Sequence, residues 1–154
     1  MATTSVAVDN DQEMQFTCFY LGDTLYGYEI DLVQEINDEL NITKVPLSPD
    51  YVMGIMNLRG QIITVIDQKK KLGLSSSSSP ESSRVIIIKS QNEYIGLMVD
   101  KIAEVITCTA KDIAKPPSNV HGVQGKMFKG IVHTSKNELL ALLDINSVLD
   151  DEQS

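Results

Sequence analysis

The sequence has no tryptophan, only three phenylalanines, and few basic residues for its number of acidic ones. It holds 13 lysines and arginines against 21 aspartates and glutamates, so the formal net charge is −8 and the pI is about 4.6. Binding to phosphate backbones or anionic membranes requires clustered cations. We therefore expect no nucleic-acid partner and no direct insertion into a membrane.

Long hydrophobic runs and an N-terminal targeting pattern are also missing. No apolar run approaches the roughly 18 residues of a membrane-spanning helix, and the first residues lack a basic stretch followed by an apolar one. Cysteine is scarce, since Cys18 and Cys108 lie in apolar runs without a CxxC partner or a cationic flank. We expect two reduced, partly buried thiols in a cytoplasmic protein, with a disulfide or a reactive thiol as the alternative.

The length and composition suit one globular domain. The chain has 154 residues, of which 42% are hydrophobic, and this suffices for folding without disulfides or a metal. Residues 1–14 are polar and acidic, and we expect a flexible N-terminal segment there. Residues 75–83 are rich in serine, which predicts a surface loop, with a domain linker as the alternative. Residues 150–154 form an acidic tail.

Two hairpins are the clearest local structures in the sequence. Residues 15–21 and 24–30 alternate around a Gly22-Asp23 turn. Residues 128–134 and 139–143 form a similar pattern, and we expect the second of these segments to be a strand although leucine and alanine favour helix.

The other elements are shorter. The β-branched run at 61–67 is typical of a strand buried on both faces, and short helices are expected at 68–72 and 145–149. Residues 31–40 drift towards helical spacing, and residues 42–45 suit a short strand. About nine short strands in all predict a mainly β protein, a barrel or a sandwich, with a few short helices.

Residues for catalysis or metal binding do not occur in a working pattern. A hydrolase needs a nucleophile, a base and a group that orients the base, but the histidines, His121 and His133, have no nucleophile motif nearby. Together with the two cysteines they lack the ligand spacing of a zinc site. The segment at 122–126 fails the spacing of a phosphate loop, because Val120 replaces the first glycine and Met127 the hydroxyl residue.

Paired carboxylates are present but have a simpler explanation. Asp100/Glu104 and Asp150/Asp151 are more typical of a solvated acidic face than of an acid–base pair, given the negative net charge. The sequence therefore predicts no enzyme, no metal and no cofactor.

Two basic features remain to be explained. Lys69, Lys70 and Lys71 form a cluster that is typical of a solvated helix face, with a weak contact to an acidic partner as the alternative. Arg59 is one of two arginines and precedes the most apolar strand, between bends that glycine permits. It is either a structural cation paired with a carboxylate or an arginine at an interface, and the two roles are compatible.

Four segments of the chain, in order, resemble the CheW-like chemotaxis coupling proteins. The most specific is the block at 54–67, which includes the run Asn57-Leu58-Arg59-Gly60 and ends at Asp67. The others are similar to the family's first hairpin and following segment (16–36), the start of its second half (94–105) and its closing hairpin (128–131 with 142–144). The resemblance covers residues 15–149, nearly the whole chain.

The resemblance implies a fold of two intertwined five-stranded SH3-like barrels that share an apolar core. It also implies a non-enzymatic cytoplasmic adaptor that couples membrane chemoreceptors to a chemotaxis histidine kinase in bacterial signalling arrays. In the family, a groove between the barrels receives the helical tip of the receptor, and the outer ends of the barrels meet the regulatory domain of the kinase.

The resemblance also carries residue roles onto this chain. By position in the family's motifs, the receptor-facing residues are Val33, Glu35, Gly54, Arg59, Val85 and Val105. The structural motif comprises Asn57, Leu58, Gly60 and Asp67. The resemblance assigns no kinase-facing residue.

These positions suggest how a receptor helix would be held. We expect Val33, Val85 and Val105 to line an apolar groove. We expect Gly54 to keep its floor flat, so that a bulky residue there would impair binding before folding. We also expect Glu35 and Arg59 to form a buried ion pair, and breaking such a pair is costly. Arg59→Ala would then unfold the protein as well as weaken binding.

Two departures and two alternatives stay open. Thr64 and Gln68 stand where the family often carries proline and leucine, and the loop from Ser75 resembles an insert. We find no receiver domain or nucleotide-binding motif, which favours a stand-alone adaptor. The alternatives are an auxiliary or paralogous coupling protein of a related pathway and a small ligand-binding β-barrel sensor, which would need a roomy pocket with polar groups.

Overall fold

Strands dominate the computed structural model, which describes residues 12–38, 41–74 and 81–150. The strands are β1 (Glu13–Leu21), β2 (Thr24–Glu29), β3 (Val33–Asn37), β4 (Val52–Leu58), β5 (Gln61–Asp67), β6 (Arg84–Ser90), β7 (Glu93–Val99), β8 (Lys101–Ile102), β9 (Ile106–Thr109), β10 (Ile113–Ala114), β11 (Asn119–Val120), β12 (Val123–Gln124), β13 (Phe128–His133) and β14 (Leu139–Leu143). The α-helices are α1 (Gln68–Lys71) and α2 (Ile145–Leu149), and short 3-10 helices cover Ile30–Leu32, Ala110–Asp112 and Gly125–Met127. No helix of the described ranges is long and apolar enough to cross a membrane.

The strands form two main sheets, and the second is inserted into the first along the chain. Sheet 1 has seven strands in the order β10-β13-β14-β2-β1-β8, with β9 also paired to β1. Sheet 2 has five strands in the order β3-β6-β7-β5-β4, and β11 and β12 form a separate hairpin. The chain leaves sheet 1 after β2, completes sheet 2, and returns to sheet 1 at β8.

The two sheets share one pattern of strand pairing. The five strands β10-β13-β14-β2-β1 of sheet 1 match, position by position and in the direction of each pair, the strands β3-β6-β7-β5-β4 of sheet 2. Each set holds one parallel pair, β14 with β2 and β5 with β7, among antiparallel neighbours. The mainly β fold with two related lobes is thus confirmed. The lobes differ from the expected closed barrels, because the outer strands β3 and β4 are not paired with each other within the described residues.

The apolar core has a shared centre and a smaller cluster within each sheet. The central cluster combines sheet 1 residues such as Tyr26 and Tyr28 with sheet 2 residues such as Ile86 and Leu97, all fully buried. Separate clusters form around Cys18 in sheet 1 and around Val85 in sheet 2. The expected shared core is therefore present, and folding of either sheet depends on the other.

Stacked aromatic rings fill the centre of this core. The ring of Phe19 lies 5.6 Å from that of Tyr28 and 6.2 Å from that of Tyr26, and the ring of Tyr26 lies 6.2 Å from that of Phe128. Such offset pairs add about 0.5–1.5 kcal/mol each beyond their buried area. Four of the eight aromatic side chains of this sequence thus stack within the central cluster.

Several sequence-based boundaries are corrected by the structure. Glu13 and Met14 belong to β1 and not to the expected N-terminal segment. Residues 31–38 do not form the expected helix, because a 3-10 turn ends at Leu32 and β3 follows, and residues 39–40 of that segment lie outside the described residues. Residues 42–45 supply one isolated bridge, from Thr43 to Ile55, in place of a strand.

Strand β5 is not buried on both faces. Ile62 is 62% exposed and Thr64 is also exposed, whereas Ile63, Val65 and Ile66 are buried. The hairpin predictions around Gly22-Asp23 and before β14, and both short helices, are confirmed. Residues 1–11, residues 75–80 of the predicted serine loop and residues 151–154 of the predicted tail lie outside the described residues.

The lysines of α1 are engaged within the chain. Nζ of Lys69 lies 2.9 Å from Oδ1 of Asp100, in a pair whose side chains are largely buried. Nζ of Lys70 donates to the carbonyl of Asp50 at 3.4 Å, and Nζ of Lys71 donates to the carbonyl of Asp150 at 3.2 Å. The cluster is therefore a set of internal contacts and not a freely solvated face.

Both cysteines are free and buried, as the sequence predicted. Burial raises the pKa of the Cys18 thiol to about 12, and it also raises the pKa of Cys108. Because the thiolate is the reactive form, we expect neither thiol to react with a disulfide reagent at pH 7.5 in the native state and both to react in denaturant. Rapid labelling of native protein in a colorimetric thiol assay would contradict this burial.

Candidate binding surface

Arg59 lies in a two-residue turn within the run Asn57-Leu58-Arg59-Gly60. Arg59 and Gly60 join β4 to β5 and have φ of +51° and +84°, and hairpin turns of the I′ type require positive φ at both central positions. Oδ1 of Asn57 accepts a hydrogen bond from the amide of Gly60 at 2.9 Å and completes the turn. The motif thus fixes the backbone from which the Arg59 side chain projects.

The guanidinium of Arg59 forms an ion pair with the carboxylate of Glu35 on β3. Because β3 is an edge strand of sheet 2, this pair links that edge to the turn between β4 and β5. The hydrogen bond from Arg59 lowers the pKa of Glu35, and the same bond raises the pKa of Arg59. The sequence predicted a buried pair, but the Arg59 side chain is 71% exposed and that of Glu35 is 29% exposed.

The three valines of the expected groove do not lie together. Val33 is half-buried on β3 and packs against the central core. Val85 has no exposed surface and packs within sheet 2 among Met56, Ile63 and other core residues. Val105 is 48% exposed and lies between β8 and β9 of sheet 1. The prediction that all three valines line one groove is therefore wrong, because Val85 is an interior residue.

Gly54 makes close contact with its own chain and not with an open surface. It is buried in β4 with φ of +149°. A Cβ placed on it would stand 2.7 Å from the carbonyl carbon of Thr43 and 2.9 Å from Cγ2 of Ile42. The expectation that Gly54 keeps a binding floor flat is corrected, since the position lacks a side chain to admit the 42–43 segment.

Val105 borders a cavity of about 580 Å³ at one end of sheet 1. Leu25, Cys108 and Val132 contribute apolar walls to it. Its lining also holds two polar contacts: Nζ of Lys136 lies 2.7 Å from Oε1 of Glu104, and the hydroxyl of Tyr20 donates to Oε2 of Glu138 at 2.8 Å. A concave site with mixed walls is the kind of place where a small molecule or a partner side chain binds.

Exposed apolar side chains near the Arg59–Glu35 pair were missed by the sequence reasoning. Ile36, which follows Glu35 on β3, is 43% exposed, and Ile62, which lies opposite Asn57 in the Arg59 hairpin, is 62% exposed. Ile62 falls in the β-branched run that predicted a strand buried on both faces, and Ile36 falls in the segment whose spacing drifts towards a helix. Their exposure depends on which face of sheet 2 is covered, and sequence spacing does not reveal this.

The remaining titratable candidates are dispersed. No three histidine, cysteine or carboxylate side chains of the described ranges lie close enough together to hold a metal ion. His121 occupies a turn between β11 and β12, with φ of +50°. Among the six receptor-facing candidates, Arg59, Glu35 and Val105 present substantial side-chain surface, while Val85 and Gly54 lie inside the protein.

Replacing Arg59 by alanine is expected to leave the protein folded. Exposed ion pairs contribute little to stability, so we expect the midpoint of thermal unfolding to fall by less than about 4 °C at pH 7. Because the pKa of Glu35 is lowered in the folded protein, the contribution of the pair is present at neutral pH and is lost as the pH falls through that lowered pKa. Thermal melts at pH 7 and pH 3 measure this difference, and a large loss at pH 7 would show that the pair is structurally essential.

Replacing Gly54 by alanine is expected to destabilise the protein by at least about 2 kcal/mol, since the new Cβ would press on the backbone of Thr43. Gly60→Ala is the matched control, because Gly60 also has positive φ but a Cβ there meets nothing within 4 Å. We expect about 1 kcal/mol of backbone strain alone for the control. Chemical denaturation of both variants measures the difference, and equal losses would remove the steric explanation.

Comparisons with known proteins agree over most of the chain. The sequence model of the CheW-like domain matches residues 15–153. The chain is 30% identical to the chemotaxis protein CheW of Treponema pallidum, over 94% of this chain and 86% of that protein. It is 33% identical to the chemotaxis protein CheW of Bacillus subtilis, over 84% and 82%.

A solved structure has the same fold. The scaffolding protein TtCheW of Thermoanaerobacter tengcongensis superposes with a TM-score of 0.83 at 31% sequence identity, covering 93% of this chain and 92% of that one. The order of the blocks seen in the sequence, the two lobes of the structure and these matches agree. The chain belongs to the CheW-like family.

Proposed function

We propose that this protein is a non-enzymatic chemotaxis adaptor that couples membrane chemoreceptors to a chemotaxis histidine kinase. The match to the CheW-like domain over residues 15–153 carries the proposal, and the likeness to a scaffolding protein supports it. The partners would be the cytoplasmic tip of the receptors and the regulatory CheW-like domain of the kinase. The protein would then be cytoplasmic and recruited to membrane-associated receptor arrays.

Within this proposal the receptor contacts Arg59, Glu35, Val33 and Val105. An exposed arginine held by a carboxylate is pre-oriented, and arginine is enriched among residues that dominate binding energy. Arg59 and Glu35 belong to sheet 2 and Val105 to sheet 1, so the receptor would touch both sheets. Gly54 and Val85 would act indirectly, by holding the 42–43 segment and the core of sheet 2 in place.

Co-sedimentation with receptor-containing membranes and the kinase tests the proposal, with kinase phosphorylation followed in the same tubes. We expect the protein to enter the pellet and to raise phosphorylation. Arg59→Ala should weaken sedimentation by about 10- to 30-fold in affinity. Lys129→Ala is the matched control, because it removes another exposed ion pair, with Glu29, from sheet 1.

Three outcomes of this experiment distinguish the proposed adaptor from its alternatives. Binding to receptor without a kinase response would favour an auxiliary or paralogous coupling protein. Equal sedimentation of the Arg59 and Lys129 variants would remove Arg59 from the receptor contact. Failure to bind either partner, with proteins of the same organism, would contradict the adaptor function.

The cavity beside Val105 keeps a ligand-binding sensor as the second candidate. Its volume of about 580 Å³ and its polar lining contacts meet the requirement stated for such a sensor. A ligand that binds the folded state raises the unfolding temperature by mass action. A thermal-shift screen against metabolites would support the sensor if a compound raises the melting temperature of the wild type and fails to do so when Val132→Phe fills the cavity.

A further inference from the structure

A buried hydrogen bond joins the two sheets through α1. The hydroxyl of Tyr28 on β2 donates to Oε1 of Gln68 at 2.7 Å, and Nε2 of Gln68 donates to the carbonyl of Met98 on β7 at 3.3 Å. Both side chains have no exposed surface. Gln68 thus contacts sheet 1 through its oxygen and sheet 2 through its nitrogen.

The next residue of α1 makes a second link between the sheets. Nζ of Lys69 pairs with Asp100, directly after β7. Oδ2 of Asp100 also accepts a hydrogen bond from the amide of Gly22, in the turn between β1 and β2, at 2.7 Å. Two consecutive residues of one helical turn therefore hold sheet 1 and sheet 2 by directional polar contacts.

Directional contacts do something here that the apolar core cannot do alone. Hydrophobic burial is non-directional, so a core between two open sheets tolerates small rotations of one sheet over the other. A buried hydrogen bond has a fixed length and angle, and leaving either partner unpaired is expensive. The Tyr28–Gln68 bond therefore favours one relative orientation of the sheets.

We propose that Tyr28 and Gln68 are positioning residues that fix the angle between the two sheets, and thereby the spacing between Arg59 on sheet 2 and Val105 on sheet 1. The functional part of this inference rests on the proposed adaptor function, in which one partner contacts both sheets. Neither residue touches that partner, since both are fully buried.

The first test measures the sheet-to-sheet distance without any partner. Spin labels are attached to the double variant Gln15→Cys/Thr64→Cys, whose sites are exposed on β1 and β5, while the native thiols are buried. We expect a narrow distance distribution by pulsed electron resonance. Gln68→Met should broaden or shift it, and the exposed control Gln124→Met should not.

The second test separates positioning from stability. Gln68→Met leaves the Tyr28 hydroxyl unpaired, so we expect the melting temperature to fall by about 3 to 9 °C. The double variant Tyr28→Phe/Gln68→Met removes both polar partners and should recover much of that loss. Its distance distribution should remain broad, because the directional bond is still missing.

The third test compares the binding of wild type, Gln68→Met and the double variant to receptor-containing membranes. We expect both Gln68→Met and the double variant to bind receptor-containing membranes about 2- to 30-fold more weakly than wild type. A purely structural role predicts instead that binding returns together with stability in the double variant.

The outcomes are distinguishable. An unchanged distance distribution in Gln68→Met overturns the positioning role, whatever the partners do. A broadened distribution with unchanged receptor binding overturns its functional consequence. Failure of the wild type itself to bind refutes the adaptor function and with it the effect on binding, while the distances still decide whether the pair sets the sheet angle.

Discussion

The shared core between two open sheets is the constraint on which the rest of this structure depends. Sheet 2 is inserted between β2 and β8 of sheet 1, so sheet 1 is complete only after the chain has crossed to sheet 2 and returned. The aromatic stack of Phe19, Tyr26, Tyr28 and Phe128 fills the gap, and α1 adds polar contacts to both sides. A chain built this way places two surfaces in a defined relation, which suits a protein that holds other proteins together.

The ion pair between Glu35 and Arg59 illustrates how an exposed contact contributes to such a surface. It links the edge strand β3 to the turn between β4 and β5 in sheet 2. In this exposed position it contributes little to folding, but it orders a side chain that would otherwise sample many rotamers. Ordering before binding lowers the entropic cost of association. The exposed pair thus contributes little to stability, and within the proposed function its role is recognition.

Much of the fold followed from local patterns, and the errors have physical causes. Gly22-Asp23 and the alternation around it predicted the first hairpin correctly. The helix expected at 68–72 is α1, which Asp67 caps in the structure and which ends before Gly73. Ile62 was misplaced because a β-branched run does not show whether a strand has a covered outer face. The role of Gly54 was predicted wrongly because the 42–43 segment packs against it. The isolated bridge that brings this segment there, from Thr43 to Ile55, has no signal in the sequence spacing.

The six receptor-facing residues taken from the family resemblance fall into two physical groups. Val85 and Gly54 are interior, and a change at either position alters packing or backbone geometry. Arg59, Glu35 and Val105 present side chains to solvent, and Val33 lies between the two groups. A loss of binding after substitution in the first group is therefore expected to accompany a loss of stability. Only the second group is suited to test the proposed partner contact directly, because a substitution there is expected to preserve the folded state.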